Sequence, residues 1–321
     1  VLFLLLAVEI VLRLAGPPIG QDPAHHDGFI TAVPSTGLGW IFPADTTGVY
    51  RSSGRHTPLV TNAWGLRSGP VFGRDTTRLL VLGDSYAFGW GIEADSSFGV
   101  LLGASSGMDV VNAGIPGYSI YQQVRMLEYV LERTDVDVVL ATISLTNDAI
   151  DEERIRRFAP DRLAEFNYAL RDPRSFKARL IRASSLLTLI DTRTTHFQFG
   201  LINARSEGRH LAAESLIDLS ERCRERGLPL IWVIVPRNGE VRGGGIMTGF
   251  LNRETTKLRS HFLAVTEETG MPAIDLLPVL REAQMGGECY LPNDAHWNER
   301  GHRAVADAIL PILKQALNAP R

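Results

Sequence analysis

From residue 78 onward, short runs of consecutive apolar positions alternate with longer segments whose apolar positions recur every three or four residues. The short runs fall at 79–82, 109–112, 136–144, 230–235 and 273–276. A run apolar on both faces is what a buried parallel strand requires. Helical spacing occupies 96–102, 120–133, 207–226, 253–269 and 299–317. This alternation predicts an α/β fold: a doubly wound, mainly parallel five-stranded sheet with helices on both faces and its first strand near the switch point.

Three regions break the rhythm. Residues 19–77 are rich in Gly, Pro, Thr and Ser without a helical period. They read as an N-terminal extension of loops and short strands lying against the main domain, residues 78–321. Residues of about 149–205 are first highly charged and then apolar over 183–190. A helical insertion is expected there, either a lid over substrate or a plain packing elaboration. The first fifteen residues are strongly apolar, and Gly16-Pro17-Pro18 ends that segment. Its uninterrupted part is shorter than the roughly 20 apolar residues that span a bilayer. Residues 1–18 are read as the outer end of a signal anchor, with Glu9 and Arg13 as an i,i+4 pair near the interface. An amphipathic or domain-packing helix is the alternative.

Composition narrows the function classes. Lys and Arg total 33 against 36 Asp and Glu, so no nucleic-acid footprint is present. Cys223 and Cys289 are isolated in sequence, and lone buried thiols are preferred to a bridge. No His-Glu-x-x-His occurs, nor any Cys or His cluster at ligand spacing, so no metal or cofactor is implied.

The chemistry concentrates at two places. The 79–82 run ends abruptly in Gly83-Asp84-Ser85-Tyr86-Ala87-Phe88-Gly89, leaving Ser85 at a strand's carboxyl end. That is where open α/β sheets hold their ligands. Near the other terminus, Asp294-Ala295-His296-Trp297-Asn298 supplies an acid and a base. A serine hydroxyl is a poor nucleophile until an imidazole takes its proton, and an acid fixes the tautomer of that imidazole. Ser85, His296 and Asp294 are therefore the candidate triad. Gly103-Ala104-Ser105-Ser106-Gly107 matches a Gly-x-Ser-x-Gly elbow, but a helical segment precedes it and a strand follows, the reverse of what the elbow requires.

Gly83-Asp84-Ser85 with Gly89 resembles the first sequence block of the SGNH (GDSL) hydrolase superfamily, whose fold is flavodoxin-like. Asn112-Ala-Gly-Ile-Pro-Gly-Tyr-Ser119 resembles the second block, Thr146-Asn147-Asp148 the third and Asp294-Ala-His296 the last, in the same order. The resemblance implies an oxyanion hole from the backbone N–H groups of Ser85 and Gly117 and the side-chain amide of Asn147. Two departures stand out. The position three before His296, where the superfamily usually carries its acid, is Asn293, and Leu145 replaces a usual glycine. An Asp-x-His-Trp-Asn arrangement is similar to that of membrane-anchored, exopolysaccharide-modifying relatives, so Asp294 is chosen.

Tyr86, Tyr118, Asp148, Arg237 and Trp297 are candidate substrate contacts, each with a plainer packing or loop role as its alternative. His302 reads as a helix-face residue and not as a second base. The expected activity is that of a serine esterase removing O-acyl groups, above all acetyl, from a carbohydrate or surface polysaccharide. Rivals are an O-acyltransferase using the same triad, a lipid-directed esterase or thioesterase, and a non-catalytic polysaccharide-binding scaffold. The anchor would place the protein in the bacterial cell envelope, outside the cytoplasmic membrane. Oligomeric state is left open.

Overall fold

The computed structural model describes residues 9–11, 33–52, 55–69, 76–158, 184, 206–243, 246–292 and 294–318. Two antiparallel hairpins come first: β1 (Val33–Ser35) with β2 (Gly39–Ile41), and β3 (Thr47–Ser52) with β4 (Arg55–Val60). Neither pairs with the main sheet. They join it through side chains, since Leu38, Trp40, Phe42, Leu59 and Leu66 are buried in the core under that sheet.

The main sheet holds β5 (Arg78–Gly83), β6 (Asp109–Gly114), β7 (Val138–Ser144), β8 (Leu230–Val235) and β9 (Ala273–Asp275). Its order is β6-β5-β7-β8-β9 and every neighbouring pair is parallel. The chain steps outward from β5 to β6, then returns past β5 to β7. Loops diverge at that reversal, so a crevice opens at the carboxyl ends of β5 and β7.

The helices are α1 (Ser85–Phe88), α2 (Phe98–Ser106), α3 (Ile120–Leu131), α4 (Asp148–Ile155), α5 (Ser206–Glu225), α6 (Asn238–Arg242), α7 (Ile246–Thr269), α8 (Leu276–Met285) and α9 (Glu299–Asn318). Alternate strand residues point to opposite faces, which divides the core in two. Leu80, Leu82, Val139, Ala141, Trp232 and Ile234 face α3, α5, α7 and the hairpins. Leu79, Val81, Val138, Leu140, Ile231 and Val233 face α2, α8 and α9. Each such side chain contributes roughly 1.5–3 kcal/mol when fully buried. With both faces covered, a polar side chain on a strand is buried at a cost, as the Thr142 hydroxyl is without a hydrogen-bond partner, and the runs are accordingly mostly apolar.

The five expected strands are all present. Position 276 differs, because the Asp275 carboxylate accepts the Leu277 N–H at 3.0 Å and starts α8 directly from the strand. Helices α1, α6 and α8 lie outside the expected helical segments; α1 and α6 span only four and five residues, and proline at 278 in the first turn of α8 masks its period. Cys223 lies in one face of the core and Cys289 in the other, and both are free thiols.

Residues 9–11 are helical, and the Glu9 carboxylate accepts from the Ser184 hydroxyl at 2.9 Å. Among the described residues no helix is long and apolar enough to cross a membrane. The remainder of the expected anchor lies outside the described residues, as do Arg13, Asn293 and most of the expected insertion.

Candidate active site

Ser85 is delivered by an abrupt strand-to-helix transition. A β-carbon at Gly83 would collide with Thr142 Oγ1 on β7, so only glycine permits the close approach of these strands. Asp84 then caps the next turn: its Oδ1 accepts the Tyr86 N–H at 2.9 Å, starting α1 at once. Asn112 on β6 braces α1 from the side, donating from Nδ2 to the Ala87 carbonyl at 2.9 Å.

His296 reaches the same point across 211 positions of sequence, with Nε2 2.7 Å from Ser85 Oγ. Its Nδ1 lies 2.6 Å from Asp294 Oδ1, and that same oxygen accepts the His296 backbone N–H at 3.0 Å. A proton on Nδ1 shared with Asp294 leaves Nε2 free to accept from the serine hydroxyl. Burial disfavours the imidazolium, but the Asp294 charge and hydrogen bond outweigh it and hold His296 above its ordinary range. The loop itself is pinned. Tyr86 donates its hydroxyl to the Ala295 carbonyl at 3.0 Å, and the Leu291 N–H donates to the His296 carbonyl at 2.9 Å.

Two backbone N–H groups at the strand ends, those of Ser85 and Gly117, have no backbone acceptor among the described residues. The Ser85 N–H belongs to the first turn of a helix, where no intrahelical acceptor exists. Gly117 sits at φ 80° in the turn closed by the Tyr118 N–H on the Ile115 carbonyl at 3.1 Å. Proline at 116 followed by a left-handed glycine is the composition of a type II turn. Asn147 precedes α4, its Oδ1 accepting from Ser144 Oγ at 2.7 Å and its Nδ2 donating to Asp151 Oδ2 at 2.8 Å. The buried Asp84 carboxylate also interacts with the Asn147 side chain, so this amide stands between the carboxylates of Asp84 and Asp151.

Four of the expected substrate contacts are buried in the structure. Tyr118 is fully buried and donates its hydroxyl to the Trp40 carbonyl at 2.5 Å. Asp148 is buried beneath the loop and accepts the Ser144 N–H at 2.8 Å. Burial, then the neighbouring Asp84, keeps its carboxyl well above the usual range. Tyr86 and Trp297 are buried behind the triad, with ring centroids 4.8 Å apart. In each case the polar loop motif hides a side chain turned inward to support the loop. Arg237, half-buried just past β8, stays at the crevice edge. His302 is buried, accepts the Phe98 N–H at 3.2 Å and is pushed down to about 3, chiefly by burial. It is neutral and far from a base's role.

Residues not anticipated complete the site. Trp90 places its ring 6.0 Å from that of His296. Asp151 fixes the Asn147 amide, and its i+4 spacing was the one signal available. Arg67, buried, donates to the carbonyls of Phe88 (3.2 Å), Gly89 (2.7 Å) and Ile92 (2.7 Å), and so ties the extension to the turn after α1. The Trp40 indole donates to the Pro116 carbonyl at 3.3 Å, beside Gly117. No sequence pattern announces these last two.

Comparison with known proteins gives one family match and several distant structures. The GDSL-like Lipase/Acylhydrolase family matches residues 81–304. No curated protein matches the chain. A lipolytic protein of the G-D-S-L family from Veillonella parvula is 15% identical over 74% of this chain and 99% of its own, with a TM-score of 0.47. The psychrotrophic esterase EstA from Pseudoalteromonas sp. is 15% identical over 76% of this chain and all (100%) of its own, at 0.46. An acetyl xylan esterase, AlAXEase, is 14% identical over 74% and 99%, at 0.45.

Proposed function

This chain belongs to the GDSL-like lipase/acylhydrolase family and is an ester-hydrolysing serine hydrolase; on that premise we propose that Ser85 carries the acyl group, with His296 as general base and Asp294 as its orienting acid. The observation that supports these roles is the unbroken chain from Ser85 Oγ to His296 Nε2 (2.7 Å) and from His296 Nδ1 to Asp294 (2.6 Å). His296 takes the hydroxyl proton as Oγ adds to the ester carbonyl. The oxyanion receives N–H groups from Ser85, Gly117 and Asn147, donors held in place before the charge forms. The imidazolium then protonates the departing alkoxide. Water, deprotonated by the same nitrogen, attacks the acyl-serine and the sequence runs in reverse.

The substrates in this reading are small O-acyl esters, foremost acetyl, on a carbohydrate or surface polysaccharide. Support comes from the Asp-x-His-Trp-Asn resemblance to anchored, polysaccharide-modifying relatives. The apolar opening at residues 1–15 adds to it and favours a place on the outer side of a bacterial cytoplasmic membrane. Ser85→Ala tests the mechanism: turnover of 4-nitrophenyl acetate is expected to fall by at least about 10⁴-fold, with the melting temperature retained. Undiminished turnover in a folded variant would overturn the assignment. Acetate release from acetylated glycans, measured against a series of longer acyl esters, tests the substrate class; preference for long chains would overturn it.

A further inference from the structure

Arg237 stands at the carboxyl edge of the sheet with its charge unspent. It follows β8 by two residues, and Val235 of β8 pairs with Ser144 of β7, which leads to Asn147 three residues later. Arg237 and Asn147 therefore leave the same edge from adjacent strands. Strand β8 borders β7, and β7 borders β5, so Arg237 leaves the carboxyl edge one strand from Asn147 and two from Ser85.

Its own interactions do not neutralise it. The Arg237 backbone N–H donates to Glu240 Oε2 at 3.1 Å, while Nη1 reaches only the neutral Thr255 hydroxyl at 3.5 Å. The other Glu240 oxygen is engaged by Arg259 in a buried ion pair. Among the described residues no carboxylate lies within ion-pair distance of the Arg237 guanidinium. Other buried or half-buried arginines are held by a carboxylate or, as with Arg67, by several carbonyls. Arg78 pairs with Asp109 at 2.8 Å, and Arg156 with Glu152 at 2.9 Å. Burial holds Arg237 below its ordinary range against the attraction of Glu240, yet a guanidinium stays charged at neutral pH. Desolvating a charge without a counter-ion is costly, so a half-buried guanidinium with no carboxylate in reach is stabilised by an anion brought to it.

We infer that Arg237 forms an anion subsite beside Ser85, receiving a carboxylate or phosphate carried by the ester substrate. The inference rests on the serine esterase reading and narrows it to acidic esters, such as O-acetylated uronic acids or sugar phosphates. A planar fork of donors matches either oxyanion bidentately.

Matched ester pairs distinguish the sources. Mono-4-nitrophenyl succinate against 4-nitrophenyl acetate places the carboxylate on the acyl half. An O-acetyl methyl uronoside against its uronamide places it on the alcohol half, and an O-acetyl sugar phosphate against the unphosphorylated sugar tests phosphate. The anionic member of at least one pair is expected to show the higher kcat/KM. Arg237→Gln should lower that anionic-to-neutral ratio by about 10- to 100-fold, mainly through KM. Arg237→Lys should retain part of it, and Arg237→Glu should invert it. Equal turnover within all three pairs, or a ratio unmoved by Arg237→Gln and Arg237→Lys, would overturn the subsite. Neutral-ester turnover that survives Ser85→Ala would strike the esterase reading instead, so the two failures are told apart.

Discussion

One carboxylate oxygen of Asp294 serves both the ring and the backbone N–H of His296, at 2.6 and 3.0 Å. A spacing of two residues makes this double contact possible, because the acid turns back on the histidine's own peptide. The departure from a three-residue spacing therefore tightens the histidine's orientation. The raised His296 pKa fixes the sign of the pH response. The base works only when neutral, so activity falls as pH drops through a value above the ordinary imidazole pKa of about 6.5. Asp294→Asn removes the larger attraction that raises it, leaving burial, which lowers it, opposed only by the Asp84 charge. The acid limb of the pH–rate profile should move to lower pH while the plateau falls by about 10⁴-fold. An unmoved limb would show that Asp294 does not set the ionisation. Residue identity was legible here, since Ser85, His296 and Asp294 are in sequence motifs. Side-chain direction was not: Tyr118 and Asp148 sit in the same loop motifs, yet point inward to a backbone carbonyl and a backbone N–H.

At the scale of elements, the junction of β7 and α4 combines three functions within one turn. Asp148 ties the turn to the end of β7, Asn147 carries the amide proposed as an oxyanion donor, and Asp151 with Ser144 locks that amide's rotation. Burial raises Asp151 to about 6. Above that pH its carboxylate accepts from Asn147; below it the protonated acid holds the amide less firmly. The surrounding charges are Arg154, 3.5 Å from Asp151 on the same helix, and Asp84 on the nucleophile turn. Asn147→Ala is expected to lower kcat by about 10²–10³-fold with little change in KM, the signature of a donor used in the transition state. Asp151→Ala should cost less, since Ser144 still holds the amide oxygen. Steady-state kinetics on both variants checks the order; a larger loss in Asp151→Ala would reverse these roles. Strand ends were readable because Gly, Pro and Asn interrupt apolar runs. The Asn147–Asp151 bond depends on α4 starting at Asp148, a boundary that periodicity leaves open by a residue or two.

At the scale of the molecule, the first hairpin and the loop after β4 contact the loops of the site though they precede the family match at residue 81. Arg67 grips the turn after α1, and Trp40 grips the Ile115–Tyr118 turn through the Pro116 carbonyl and through its own carbonyl, which accepts from Tyr118. Gln122 adds a bond from Nε2 to the Leu38 carbonyl at 2.7 Å. Trp40→Phe removes only the indole donor and should shift the Gly117 N–H. The expected result is a fall in kcat of up to about 10²-fold, with KM and the acid limb of the pH profile unchanged. A variant with wild-type kcat would show that the hairpin contributes stability alone.

By itself, the chain's order of residues determined the five buried strands and the helices of clear period. It also determined the turns that present Ser85, Gly117 and Asn147 at strand ends, because periodicity and turn chemistry act over a few neighbouring positions. Only the folded arrangement decided that His296 meets a serine 211 positions away, that Arg67 and Trp40 brace the loops, and that Arg237 keeps a charge beside the crevice. Those contacts join segments whose local patterns carry no trace of one another. They arise from the shape and burial of the whole core.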